Sequence, residues 1–183
     1  MAKNIYDFSV KQIDGKKINF SDYKGKVLLL VNVASQCGLT PQYEGLEKMY
    51  SLYQGKGLEV LGFPANEFGA QEPGTNSEIL DFCVSKFGVK FSMFEKIVVK
   101  GPGQHPLYTY LTETKPEAQS SQGNVFEEKL KNYGVTREKK NDILWNFEKF
   151  LINRNGEVIA RYAPDMTPDD PMIKNAIETA LAQ

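Results

Sequence analysis

The sequence predicts an α/β protein: a central mixed β-sheet flanked by helices on both faces. Three observations carry that expectation. Residues 26–35 and 58–63 are apolar runs without alternation, the mark of strands buried on both faces. An amphipathic helix between them makes a βαβ unit, hence parallel strands. Farther on, Asn155-Gly156 sits between the apolar segments 147–152 and 158–162, a hairpin signal that adds antiparallel strands to the sheet.

The elements follow in order. Residues 6–19 read as a short N-terminal hairpin with its turn at Asp14-Gly15. After the first buried strand, Thr40-Pro41 marks a helix start, Thr as cap and Pro at the first helical position. Leu39, Tyr43, Leu46, Tyr50 and Tyr53 recur at spacings of four and three, an apolar stripe for the core, and Gly55 and Gly57 end the helix. The segment 64–74 is polar and rich in Gly and Pro, a loop at the C-terminal end of the second strand. Thr75-Asn76-Ser77-Glu78 has the form of a capping box and opens a helix to about Phe87 that carries Cys83. Residues 93–99 suggest a third strand and 105–113 a helix. The stretch 114–142 is polar and charged, an insertion with a short helix at 126–133, and 169–181 is a closing helix. There are no repeats or low-complexity tracts, and 183 residues fit one domain spanning 1–183.

Composition excludes several function classes. With 41% hydrophobic and 25% charged residues the chain is ordinary globular protein, and its net charge of −1 leaves no footprint for nucleic acid or an anionic membrane. No apolar run approaches the ~20 residues of a membrane span, so membrane insertion is not expected. The N-terminal residues lack the apolar core of a signal peptide, so a cytoplasmic location is expected. Two cysteines and one histidine are too few soft ligands for a zinc site, and no cofactor is called for. In a reducing cytosol both cysteines are expected to be thiols unless redox-active.

The most informative residue is Cys37, in the segment Asn32-Val33-Ala34-Ser35-Gln36-Cys37-Gly38-Leu39-Thr40-Pro41. It falls where a strand ends and a helix begins, where free N–H groups and the helix dipole favour an anion, and so the reactive thiolate. Placement alone fits a buried structural cysteine equally well. Three other features stand out: the loop from Phe63 to Gly74 containing Gln71, at the strand end where α/β sites form; Trp145, the only tryptophan, followed by Asn146 at a strand start; and Cys83, which shares a helix face with Ile79 and Phe87 and so could simply fill core.

The segments 31–41, 61–74 and 145–151 resemble the three signature blocks of the glutathione peroxidase family, in order and spacing, and the resemblance covers nearly the whole chain. It implies a thioredoxin-like fold and a peroxidase. It places Cys37 at the peroxidatic position, held by selenocysteine in some members, and Gln71, Trp145 and Asn146 around the sulfur. The amide, indole and amide N–H donors would favour a thiolate, orient peroxide and stabilise the departing oxygen. Cys83 matches the resolving cysteine of thioredoxin-dependent members. Pairing with Cys37 requires Cα atoms within ~7 Å, so the helix at 78–88 is expected to be mobile.

The departures bear on the reductant. Ala65 stands where many members have a third cysteine, and Glu67 where many have glutamine. The arginines that bind glutathione in the animal enzymes have no equivalents, since the chain has only Arg137, Arg154 and Arg161. The leading expectation is a peroxidase for hydrogen peroxide and organic hydroperoxides, regenerated by thioredoxin through a Cys37–Cys83 disulfide, monomeric or a weak homo-oligomer. The alternatives are a one-cysteine enzyme using glutathione, with Cys83 structural, and a peroxide sensor that passes oxidation to a partner protein. A thioredoxin-type dithiol oxidoreductase is disfavoured because Cys37-Gly38-Leu39-Thr40 lacks a second cysteine. His105, before Pro106, is read as structural.

Overall fold

A computed structural model describes residues 4–183; the first three residues of the N-terminal segment read above lie outside it. Strands β1 (Ser9–Lys11) and β2 (Lys17–Asn19) form the expected antiparallel hairpin, with Gly15 at φ +92° in its turn. The main sheet has five strands: β3 (Val27–Val33), β4 (Leu58–Pro64), β5 (Ser92–Met93), β6 (Lys149–Ile152) and β7 (Val158–Tyr162). Their spatial order is β5-β4-β3-β6-β7; β3, β4 and β5 are parallel, and β6 and β7 run antiparallel to them. The helices are α1 (Gln42–Tyr53), α2 (Asn76–Phe87), α3 (Pro106–Thr114), α4 (Val125–Asn132) and α5 (Pro171–Leu181).

All seven residues of β3 are buried, and their alternation divides the core. Val27, Leu29, Val31 and Val33 pack with Tyr43 and Leu46 of α1, Ile79 and Cys83 of α2, and Ile173 and Ile177 of α5. Leu28 and Leu30 face the other way, against Leu107 and Leu111 of α3 and the N-terminal residues Phe8 and Val10. A strand covered on both sides in this way sits at the centre of the sheet.

Three local expectations are corrected. The strand expected at 93–99 is only two residues long. Beyond it the chain crosses the end of the sheet: Glu95 N–H donates to Lys11 O and Ile97 N–H to Pro64 O, and Phe94 and Val99 fill the α3-side core. Thr40 does not cap α1, which starts after Pro41 without a side-chain cap. Its hydroxyl instead closes the turn around Cys37. Trp145 is not at a strand start but in a tight turn four residues before β6.

In the 114–142 segment, α4 lies outside the sheet, and Arg137 holds Glu127 in a bidentate ion pair (Nη2–Oε1 2.7 Å). Gln119 joins the segment to the edge of the sheet, donating its N–H to Arg161 O and accepting from Ala163 N–H. No helix is long and apolar enough to cross a membrane among the described residues.

Candidate active site

The site forms beyond the C-terminal ends of β3 and β4. From Val33 the chain enters a tight turn in which Thr40 Oγ1 accepts from Cys37 N–H (3.0 Å) and donates to Ala34 O (2.7 Å). Thr40, Gln42, Tyr43 and Glu44 then make successive three-residue-back hydrogen bonds, so the regular helix begins five residues after the cysteine. The turn aims the Leu39 N–H at the sulfur, at 3.2 Å from Cys37 Sγ. Cys37 is buried at 7% exposure, between the exposed Gln36 and Gly38.

The loop after β4 lies alongside. Gln71 O accepts from Gln36 N–H (3.0 Å), fixing this loop against the cysteine turn. Gln71 Oε1 accepts from Asn146 Nδ2 (3.0 Å), and the fully buried Asn146 also reaches Phe68 O at 3.5 Å. The Trp145 indole packs on Phe68, ring centroids 5.7 Å apart, and against Gly69. A Cβ at Gly69 would stand 3.2 Å from Trp145 Cη2, and φ there is +70°, so both space and backbone require glycine. Gln71, Trp145 and Asn146 are therefore brought together beside the Cys37 turn. The sulfur's own hydrogen bond comes from the backbone of Leu39. Gln71 Nε2 and Trp145 Nε1 make no hydrogen bond to another protein group among the described residues.

Both cysteines are free thiols. Cys83 is fully buried in α2, whose capping box at Thr75–Glu78 is formed as expected, and it belongs to the same apolar cluster as Cys37. Burial pushes its thiol up to about 11; the nearby Tyr43 hydroxyl opposes this and the Glu72 carboxylate adds to it.

Glu67 turns away from the sulfur: Oε1 accepts from Val99 N–H (2.7 Å) and Oε2 from Asn66 N–H (3.3 Å). Burial raises its pKa, and these two donors oppose the rise. His105 caps α3, its Nδ1 accepting from Leu107 N–H (3.1 Å).

Sequence reasoning missed the supports of the Trp145 turn. Asn32, buried within β3, donates Nδ2 to Trp145 O (3.1 Å), and its carbonyl accepts from Phe147 N–H (2.6 Å). Phe147 adopts φ +69°, an uncommon conformation for a bulky residue, held by this bond and by burial. Below the turn, Glu148 and Arg161 form a solvent-excluded ion pair at 2.5 Å. Lys149 is buried, its Nζ donating to Pro164 O (3.0 Å) and Met166 O (2.5 Å); burial lowers its pKa to about 7 against the pull of Asp165, Glu148 and Asp170. The available signal was polar residues inside apolar runs: Asn32 in 26–35, and Glu148 and Lys149 in 147–152.

A thiol at a strand–helix junction, with amide and indole groups gathered beside its turn, is an arrangement suited to thiol redox chemistry. The glutathione peroxidase family model matches residues 5–112. The chain is 47% identical over 183 residues to thioredoxin/glutathione peroxidase BtuE of Escherichia coli, covering all of both chains. It is 45% identical over 166 residues to hydroperoxy fatty acid reductase gpx1 of Synechocystis, covering 91% of this chain and 90% of that one. A crystal structure of Trgpx in apo form superposes with TM-score 0.72 at 34% identity, covering 100% of this chain and 98% of that one. The chain belongs to the glutathione peroxidase family, has its thioredoxin-like fold, and is a peroxidase.

Proposed function

We propose that the protein reduces hydrogen peroxide and organic hydroperoxides with Cys37 as the nucleophile, and that thioredoxin regenerates it through a Cys37–Cys83 disulfide. The Cys37 thiolate attacks one peroxide oxygen, the O–O bond breaks, and the departing oxygen takes up from solvent the proton released when the thiol ionised and leaves as water or an alcohol, with the sulfur oxidised to a sulfenic acid. The Leu39 N–H supports negative charge on the sulfur, and the unspent N–H groups of Gln71 and Trp145 suit the departing oxygen. Asn146 acts by orienting Gln71. Cys83 then attacks the Cys37 sulfur, water leaves, and the dithiol reductant restores both thiols. Organic hydroperoxides fit the relative named as a hydroperoxy fatty acid reductase.

The observation that carries the choice of reductant is the fate of the arginines. Arg137 pairs with Glu127. Arg154 donates to Gly25 O, Lys56 O and Leu181 O, and Arg161 to Glu148, Lys115 O and Asp142 O. All three are committed to internal partners, which leaves no guanidinium for the carboxylates of glutathione. A second reading, a one-cysteine enzyme in which Cys83 is structural, is favoured by one fact: Cys83 sits fully buried in a well-capped helix.

A thiol titration under denaturing conditions after one equivalent of hydrogen peroxide separates the two. Loss of both thiols in a monomeric species, and collapse of thioredoxin-supported turnover in Cys83→Ser, is expected. A persistent free thiol at Cys83 would overturn the two-cysteine reading and leave glutathione, or relay of oxidation to a partner protein, in its place. We take the whole chain, with 114–142 anchored through Gln119 and Arg161, as one domain. It acts as a monomer or weak homo-oligomer in the cytoplasm, where a dithiol reductant is at hand.

A further inference from the structure

The site has two walls. One is the Cys37 turn, which follows β3; the other is the turn of Trp145 and Asn146, which precedes β6. The β3–β6 ladder reaches only to Val31 and Lys149 on this side. Beyond that rung Asn32 ties the strand end to the second wall, through Phe147 N–H to Asn32 O (2.6 Å) and Asn32 Nδ2 to Trp145 O (3.1 Å).

Lys149 stands on the last rung, and its side chain is unused by the chemistry described so far. It is fully buried, on the same face of β6 as Leu151, which packs in the α1-side core. Its Nζ donates to Pro164 O (3.0 Å) and to Met166 O, and Gln42 Nε2 of α1 donates to the same Pro164 O (2.8 Å). Gln42 is itself buried, and its Oε1 is left without a partner. A fully buried lysine and a half-satisfied glutamine both cost stability, so their meeting at one carbonyl calls for a reason. From that carbonyl the contacts run unbroken to the sulfur. Gln42 N–H donates to Leu39 O (2.9 Å), and Leu39 N–H points at Cys37 Sγ (3.2 Å).

We propose that Lys149 and Gln42 are positioning residues for peroxide reduction: gripping Pro164 O from the two walls, they set where Trp145 and Gln71 stand relative to the Cys37 sulfur. The proposal rests on the reading of Cys37 as the nucleophile. Both residues act through geometry. The indole and amide N–H groups must meet the departing oxygen as the O–O bond breaks, and a displacement of about 1 Å costs up to about a hundredfold in rate. Methionine at position 149 fills a similar volume and keeps the backbone rung to Val31, so it removes the cross-tie and leaves the sheet.

The test uses the Cys83→Ser protein, in which Cys37 is the only thiol. Rapid mixing with hydrogen peroxide, followed by chemical trapping of the sulfenic acid and mass spectrometry, gives the oxidation rate. The ultraviolet absorbance of the thiolate gives the ionised fraction, and urea unfolding gives the folded fraction. Lys149→Met is expected to lower the rate per folded thiolate by about tenfold or more, and Gln42→Met to lower it in the same way. Because both hold one carbonyl, the double variant should fall within about twofold of the slower single variant. Arg154→Met is the control. Arg154 braces Gly25 O, Lys56 O and Leu181 O at the opposite end of the sheet, so its loss should lower stability and leave the rate per folded thiolate at the parent value.

A Lys149→Met rate within about twofold of the parent overturns the proposal, as does a loss wholly accounted for by the thiolate fraction, or an equal slowing in Arg154→Met. Should Lys149→Met fail to fold, Gln42→Met decides by the same criteria. Failure of the underlying reading looks different: Cys37 of the Cys83→Ser protein would then form no sulfenic acid in any variant.

Discussion

Replacing Arg161 with Met tests what holds the Trp145 turn in place. Arg161 is 1% exposed. Its Nε lies 2.5 Å from Glu148 Oε2, its Nη1 donates to Lys115 O (2.8 Å), its Nη2 donates to Asp142 O (2.9 Å), and its guanidinium stacks on the Phe150 ring at 5.2 Å. Methionine keeps much of the volume and removes every polar contact. Glu148 is then left as an unpaired buried carboxylate, a loss of about 3–5 kcal/mol in comparable pairs. The two stranded carbonyls add to it, but non-additivity and local relaxation keep the total near 4 kcal/mol. Against a whole-protein stability of about 5–15 kcal/mol, the variant is marginal. Urea unfolding followed by far-ultraviolet dichroism and Trp145 fluorescence should show the midpoint falling by about 2 M, for a slope near 2 kcal/mol per M. The double variant Arg161→Met/Glu148→Met removes the stranded charge as well. It should recover to within about 2 kcal/mol of the parent, the remainder reflecting the Lys115 and Asp142 carbonyls and the Leu144 N–H that Glu148 Oε1 now satisfies at 3.0 Å. A single variant that loses less than about 1 kcal/mol, or a double variant no better than the single, would refute the charge-burial argument.

Further outcomes are expected at the site and its supports. Thr40→Val strands the Cys37 N–H and Ala34 O, which should cost about 2–3 kcal/mol in chemical denaturation and slow Cys37 oxidation in stopped flow, with Thr40→Ser close to the parent. Gly69→Ala should cost about 1 kcal/mol for φ +70° alone and displace the indole, seen as a shift in Trp145 emission together with reduced peroxidase kcat/KM. Lys149 has a folded pKa of about 7, below its ordinary value, so between there and pH 10.5 the unfolded chain binds more protons and stability rises with pH. The stability of the parent relative to Lys149→Met should accordingly increase by roughly 1 kcal/mol per pH unit from pH 7 to 9, and level off at its lowest value below 7, where Lys149 is protonated in both states. If the proposed Cys37–Cys83 disulfide forms by local opening of α2, in which Cys83 is fully buried, the amides of α2 should lose hydrogen-exchange protection on oxidation relative to the reduced protein.

The sheet was legible because burial writes itself into sequence. A run such as Val27–Val33 has no polar residue except Asn32, and nothing but a covered strand accommodates it. The parallel pairing of β3 with β4, the hairpin at Gly156 and the capping box of α2 followed from local chemistry that acts over a few residues. What failed was also local. Residues 93–99 carry strand-forming side chains, but Phe94 and Val99 are claimed by the α3 side of the core, which draws the chain off the sheet after two residues. At Thr40 the same hydroxyl could cap a helix or close the preceding turn, and the turn prevailed because Cys37 N–H and Ala34 O are buried there. The candidate residues could be listed from their motifs, but their supports could not. That Asn32 would hold Trp145 and Phe147, across 113 positions in one case, is a consequence of β3 pairing with β6 and has no local signature.

The distribution of buried charge follows from what the site must do. The proposed thiol chemistry needs a sulfur that is anchored near the surface, and the turn supplies this: Thr40 fixes the Cys37 amide, and the neighbouring Gln36 and Gly38 are exposed. The opposite wall, carrying Trp145 and Asn146, has no regular secondary structure to hold it. It is held instead by a strained Phe147 backbone over an ion pair that costs desolvation energy. An apolar pair in place of Glu148 and Arg161 could be equally stable, but it would not fix Leu144, Lys115 and Asp142 by directed hydrogen bonds. The charges are therefore best understood as fixing position: they set where the indole and the Asn146 amide stand relative to a sulfur that belongs to a different part of the chain.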